Sequence, residues 1–136
     1  MKIEFLEEGS ADCPLIRIYG TDPAEFSSLL NAVKELASAE GKNCSVHELP
    51  GFHTVSNYTL SIISSSKDKG VRRISGTSFV WVLTPAKWLL VAGLIEPFAL
   101  SPRDETYQWL SGNEARHGLN LASISVLLSC SRDGHW

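Results

Sequence analysis

Asp22-Pro23-Ala24-Glu25-Phe26 opens a segment, residues 22–41, whose pattern indicates one helix from start to end. Asp22 is a favoured N-cap and Pro23 suits the first helical position, where its missing N–H costs nothing. The apolar residues that follow recur every three or four positions: Phe26, Leu29, Leu30, Val33, Leu36 and Ala37. Gly41 supplies a stop. We therefore predict an amphipathic helix over residues 23–40 with one face packed on a sheet.

Segments typical of strands surround this helix. Residues 3–5 and 15–19 predict two antiparallel strands before it, and residues 44–49, 58–64 and 71–83 predict strands after it. Residues 79–83 are apolar on both faces, which indicates a central strand, and an interruption is expected near Ser75-Gly76. A half-buried last strand is predicted from alternating inward positions: Ala122, Ile124, Val126, Leu128 and Cys130.

Two segments near the end allow two interpretations each. Residues 85–96 follow the cap-like pair Thr84-Pro85 and are apolar all round, which favours a buried helix over a hairpin and strand. Ser101-Pro102 resembles a helix cap, which favours a short helix over a strand for residues 102–111.

These elements predict one α+β domain over residues 1–136. Its expected core is a mostly antiparallel sheet of five or six strands, covered on one face by the helix over residues 23–40 with one or two shorter helices nearby. The strand–helix–strand unit over residues 15–49 is expected to form a parallel crossover.

Composition and charge exclude several classes of protein. The chain has 136 residues with 43% apolar residues, which excludes a disordered protein. Twelve basic and fifteen acidic residues give a net charge of −3, which disfavours a nucleic-acid binder. The acidic first residues do not resemble a secretory signal, and no apolar run suits a membrane span. Three widely spaced cysteines predict free thiols and a cytoplasmic protein.

The most suggestive chemical cluster is His47-Glu48 together with His53. Two imidazoles and a carboxylate could act as acid, base or metal ligands, and Cys44 is close in sequence. However, the two histidines are six residues apart across Pro50-Gly51 and do not form a helical metal motif. We therefore expect no metal and no cofactor, and this cluster remains only a weak catalytic candidate.

The aromatic and apolar run after residue 80 gives the strongest functional hint. An element that is apolar on all sides is hard to bury completely in a chain of this length, so part of it is expected to face a partner or a pocket. The candidate interface or pocket residues are Trp81, Trp88, Leu89, Tyr107 and Trp109. The sequence thus predicts a non-catalytic module that binds another protein or itself as a homodimer. The alternative is a small metal-dependent or acid–base enzyme that uses His47, Glu48 and His53.

Overall fold

The computed structural model of the protein describes residues 1–9, 11–111 and 124–132. These residues form nine strands in two sheets and two α-helices, which confirms the predicted α+β class. The strands are β1 (Lys2–Leu6), β2 (Leu15–Gly20), β3 (Asn43–Ser45), β4 (His53–Thr54), β5 (Thr59–Ser64), β6 (Gly70–Arg73), β7 (Ser78–Leu83), β8 (Thr106–Ser111) and β9 (Ser125–Cys130). The helices are α1 (Pro23–Ser38) and α2 (Pro85–Leu100).

The first sheet has the strand order β4-β1-β2-β9-β8. The predicted antiparallel pair at the start is confirmed as β1 and β2, and β2 also pairs in parallel with β9. All six residues of β9 are buried, so the predicted half-burial of this strand is wrong. The reason is its central position between β2 and β8, which requires side chains that can be covered on both faces. The expected start at Ala122 lies outside the described residues.

The second sheet has the order β3-β5-β7-β6. β7 is central, as predicted, and pairs in parallel with β5 and antiparallel with β6. The interruption expected near Ser75-Gly76 separates β6 from β7. The strand predicted over residues 44–49 is shorter, because the chain leaves the sheet after Ser45 and forms a 3-10 turn over Val46–Glu48.

Four of the seven strand pairings are antiparallel, but they are divided between two sheets instead of one. β2 and β3 lie in different sheets, so the crossover expected over residues 15–49 does not form. The helix between them instead carries the chain from one sheet to the other. Parallel pairs occur elsewhere, between β1 and β4, β2 and β9, and β5 and β7.

Both helices begin at the predicted caps. The Asp22 carboxylate accepts a hydrogen bond from the Ala24 N–H at 2.9 Å, and the Thr84 hydroxyl accepts one from the Lys87 N–H at 3.4 Å. α2 confirms the helical interpretation of residues 85–96 and is sixteen residues long, as is α1, so it is not a shorter helix. The short helix expected over residues 102–111 is wrong, because residues 106–111 form β8 and pair with β9.

One hydrophobic cluster connects both sheets and both helices. The rings of Phe5 in β1 and Phe79 in β7 are 4.6 Å apart and join the two sheets. Phe26 of α1 lies 5.3 Å from Phe98 of α2, which joins the helices. Within the described ranges, neither helix is long and apolar enough to cross a membrane.

Candidate functional site

The three weak catalytic candidates lie on separate local structures. His47 is in the 3-10 turn after β3, and its Nδ1 is 3.3 Å from both the backbone nitrogen and the backbone oxygen of Leu60. This nitrogen is therefore engaged by the backbone of β5. Glu48 is exposed on the same turn, and His53 is exposed on the edge strand β4. In the part of the chain that the structure describes, no three His, Cys, Asp or Glu side chains are grouped to hold a metal.

Cys44 lies half-buried on β3, close to this turn. Burial raises the pKa of its thiol, and the negative charge of Glu48 raises it further. A thiol with a raised pKa stays protonated at neutral pH and is a weak nucleophile. None of the three cysteines forms a disulfide, and Cys130 is a buried core residue, as its inward register predicted.

Of the five predicted interface residues, two are buried in the core and three are exposed or half-buried. Trp81 and Trp88 are only 2% and 0% exposed, and their rings contact each other at 4.7 Å. The Trp88 indole N–H also donates a hydrogen bond of 2.9 Å to the Ile63 carbonyl. Both tryptophans therefore fasten α2 to the second sheet and are unavailable to a partner. Leu89 and Tyr107 are exposed, and Trp109 is half-buried on β8.

A group of exposed and mostly apolar residues, here called the α2–β8 surface, lies on α2 and the neighbouring strand β8, and the exposed Glu96 shares the helical row of Leu89, Gly93 and Leu100. Its members are Leu89, Leu90, Gly93, Pro97 and Leu100 on α2, with Tyr107 on β8. The three leucines are 63–76% exposed and Tyr107 is 57% exposed. The inward face of the helix is used by the core, through Trp88, Val91, Ala92, Ile95 and Phe98. α2 thus has a second apolar face that the described residues leave in solvent.

A cleft of about 570 Å³ runs between the second half of α2 and the start of β8. Gly93 and Pro97 line it on the helix side, and Tyr107 lines it on the strand side. Charged and polar side chains also line it: Glu96 and Arg103 are exposed and Gln108 is half-buried. The Gln108 amide donates a hydrogen bond of 3.0 Å to the Trp109 carbonyl. The cleft is therefore lined by apolar, polar and charged side chains together.

Gly93 and Pro97 form a notch in the exposed face of α2. A Cβ atom added at Gly93 would meet nothing within 4 Å, and Pro97 has no N–H to bond the Gly93 carbonyl four residues earlier. In a helix interior, Gly is less favourable than Ala by about 1 kcal/mol and Pro by about 3 kcal/mol. Two residues that disfavour a helix therefore lie on the exposed face of α2, beside its exposed leucines.

The sequence predicted Leu89 and Tyr107 as interface residues, but it did not predict that Leu90 and Leu100 are exposed or that Gly93 and Pro97 lie beside them. The signal for the notch is visible in the sequence, since Gly93 and Pro97 interrupt a helix at positions four apart, which lie on the same side. Nothing in the sequence distinguishes the exposed Leu90 and Leu100 from the buried residues of α2. A helix that is apolar all round has no periodicity to show which face is exposed.

A second cleft, of about 590 Å³, lies between α1 and the segment around β3. Glu35 and Lys42 line it and form an exposed ion pair with a separation of 2.9 Å. Its lining mixes polar and apolar residues, and none of the buried polar side-chain atoms that lack a hydrogen bond belongs to it. It shows no arrangement that would favour a particular ligand.

Comparisons of the chain with protein-family models, curated proteins and solved structures gave no match. No role is therefore transferred to the α2–β8 surface from another protein, and its own chemistry must indicate what it does.

Proposed function

We propose that the protein is a non-catalytic binding module that contacts another protein through the α2–β8 surface. The observation that carries this proposal is the exposure of four large apolar side chains, three on α2 and one on the neighbouring strand β8. Large apolar side chains that are exposed together on neighbouring elements are typical of protein interaction sites.

The composition of the surface also supports a protein partner. Its large exposed side chains are aliphatic or aromatic, and protein interfaces are enriched in aromatic residues. Lys87, Glu96 and Arg103 are exposed beside them. The catalytic alternative has less support, because a ring nitrogen of His47 is engaged by the backbone while Glu48 and His53 point into solvent from other positions. Three cysteines that form no disulfide suit a reducing compartment, which supports the proposal of a cytoplasmic module.

The test compares wild type with a double variant, Leu89→Ser with Leu100→Ser, as immobilised bait in an extract of the source cells. Ile74→Ser is the matched control, because Ile74 is an apolar residue that is 66% exposed outside the surface. We expect wild type and the control to retain the same partner and the double variant to lose it. Equal retention by all three proteins would place the binding site elsewhere.

A further inference from the structure

We infer that His47 is a pH-sensitive switch that joins the 3-10 turn over Val46–Glu48 to β5. When the ring is neutral, its Nδ1 accepts a hydrogen bond from the Leu60 N–H, and when the ring is protonated this bond is lost. The inference goes beyond the proposed function and does not depend on the α2–β8 surface.

Leu60 lies where the pairing of β3 with β5 ends. The two strands are antiparallel, and their register, with Cys44 opposite Ile62, continues to Val46 opposite Leu60. The Ser64 N–H bonds to the segment of β3. Every second residue of an antiparallel strand bonds to the same neighbour, so the Leu60 N–H points to this side as well. A regular strand would offer it the Val46 carbonyl as acceptor.

The Val46 carbonyl is used by the turn instead. It accepts the hydrogen bond of 3.1 Å from the Leu49 N–H that closes the 3-10 turn. The His47 Nδ1 takes its place and accepts the Leu60 N–H at 3.3 Å. Leu60 is only 1% exposed, so water has little access to this N–H. The imidazole therefore supplies the acceptor that the turn withdraws from the sheet, and it connects the turn to β5.

This hydrogen bond requires one protonation state of the ring. A ring nitrogen accepts a hydrogen bond only while it carries no proton, so the neutral ring holds its proton on Nε2. When a proton from water binds to Nδ1, both ring nitrogens become donors and the Leu60 N–H loses its acceptor. The new Nδ1–H can donate to the Leu60 carbonyl, which is also 3.3 Å from Nδ1. The buried N–H stays unsatisfied, which destabilises the contact between the turn and β5.

Few titratable groups surround this ring. The turn packs most closely against β5, which carries none, and against β4, which carries the exposed His53. The turn itself carries the exposed Glu48, and β3 carries Cys44, whose raised pKa keeps the thiol protonated. Among the groups of these described elements, only the two imidazoles have an ordinary charge change between about pH 5 and pH 8. His53 is therefore the matched control.

The experiment measures hydrogen exchange of single backbone amides by nuclear magnetic resonance at about pH 8 and pH 5, each rate being divided by that of an unfolded chain at the same pH. The Ile62 amide is the internal reference, because it faces β3 but bonds to a backbone carbonyl. From the higher to the lower pH, we expect the protection of the Leu60 amide to fall about tenfold relative to Ile62. The imidazole nitrogen shifts should place the proton of the neutral His47 ring on Nε2.

Two variants assign the effect to one histidine. His53→Gln should keep the pH dependence of the Leu60 amide. His47→Asn should remove it, because its side-chain oxygen can accept the same bond near the position of Nδ1 and does not titrate. Should His47→Asn fail to fold, the two wild-type measurements and His53→Gln still decide.

The inference is overturned if the neutral His47 ring carries its proton on Nδ1, or if the protection of Leu60 relative to Ile62 is the same at both pH values. It is also overturned if His53→Gln removes the pH dependence, or if a folded His47→Asn protein keeps it.

Discussion

The ammonium group of Met1 is buried and bound by two distant parts of the chain. It pairs with the Glu25 carboxylate of α1 and donates a hydrogen bond of 3.0 Å to the Gly51 carbonyl. Gly51 has a positive φ of 82°, and a Cβ atom added there would overlap the Glu25 carboxylate. The close approach of this glycine therefore makes room for the ion pair that connects β1, α1 and the loop before β4.

We predict that Gly51→Ala destabilises the protein more than Gly41→Ala does. Gly41 has a similar φ of 86° but open space at its Cβ position, so its variant isolates the backbone strain, which is about 1–2 kcal/mol. Gly51→Ala has the same strain and also displaces Glu25 from the ammonium group. Urea unfolding of both variants measures the difference. Equal losses would show that the ion pair contributes nothing.

Cys44 gives a prediction about pH. Because burial and the charge of Glu48 raise the pKa of this thiol, its alkylation by iodoacetamide should increase at a higher pH than that of a cysteine in an unfolded peptide. Glu48→Gln should lower the pH of this increase, since it removes the second cause. The measurement uses a Cys13→Ser background, in which Cys130 is buried and unreactive. An increase at or below the pH seen for the peptide would contradict the assignment.

The same shift affects folding stability only at alkaline pH. The folded state holds the thiol proton more tightly than the unfolded state, so its contribution is fully present below the pKa of the unfolded thiol. It is then lost as the pH rises through the raised pKa of the folded protein.

The two helices show, at the scale of elements, what a sequence can and cannot predict. α1 has a cap, a periodic apolar face and a stop, and all of these are local, so its position and its buried face were predictable. α2 has an equally clear cap at Thr84-Pro85, which indicated a helix. However, its apolar residues have no periodicity, so only packing determines that Trp88 is inside and Leu89 outside. The candidate surface was therefore only half predictable.

β8 shows how distant pairing overrides local signals. Ser101-Pro102 resembles a helix cap, but Glu105 has a positive φ of 65° and the chain turns there into a strand. Pairing of Tyr107 with Ser129 and of Trp109 with Leu127 fixes this strand beside β9. Such partners lie far along the chain, and no local pattern reveals them.

Substitutions of Trp88 test how strongly this side chain attaches α2 to the second sheet. Trp88→Ala should cost about 3–5 kcal/mol of unfolding free energy, because it empties a fully buried site. Trp88→Phe keeps one aromatic ring but removes the indole hydrogen bond to the Ile63 carbonyl, which costs about 0.5–1.5 kcal/mol. The neighbouring Leu89→Ala is the control, since Leu89 is exposed and its substitution should change the unfolding free energy by no more than about 0.5 kcal/mol. Denaturant titration measures all three, and a Trp88→Ala loss no larger than the control would contradict this packing.

The whole molecule is held by one apolar cluster that includes residues from both sheets. We therefore predict that the sheets unfold together. In a Trp109→Phe and Trp136→Phe background, tryptophan fluorescence comes from Trp81 and Trp88 in the second sheet and α2. It should give the same urea midpoint as the far-ultraviolet circular dichroism of the whole chain. Leu128→Ala, in the fully buried centre of β9, should shift both midpoints equally. Two separate transitions would show that the sheets are independent units.

The parallel pairing of β2 with β9 also affects the order in which the protein is made. The second sheet lies between residues 43 and 83, so its strands can pair while the ribosome is still adding the rest of the chain. β2 is synthesised earlier, yet its partner β9 is among the last described residues to emerge. Throughout translation one edge of β2 is therefore open, and open edges recruit foreign strands. A nascent chain that stalls before β9 is complete would be the form of this protein most prone to aggregate.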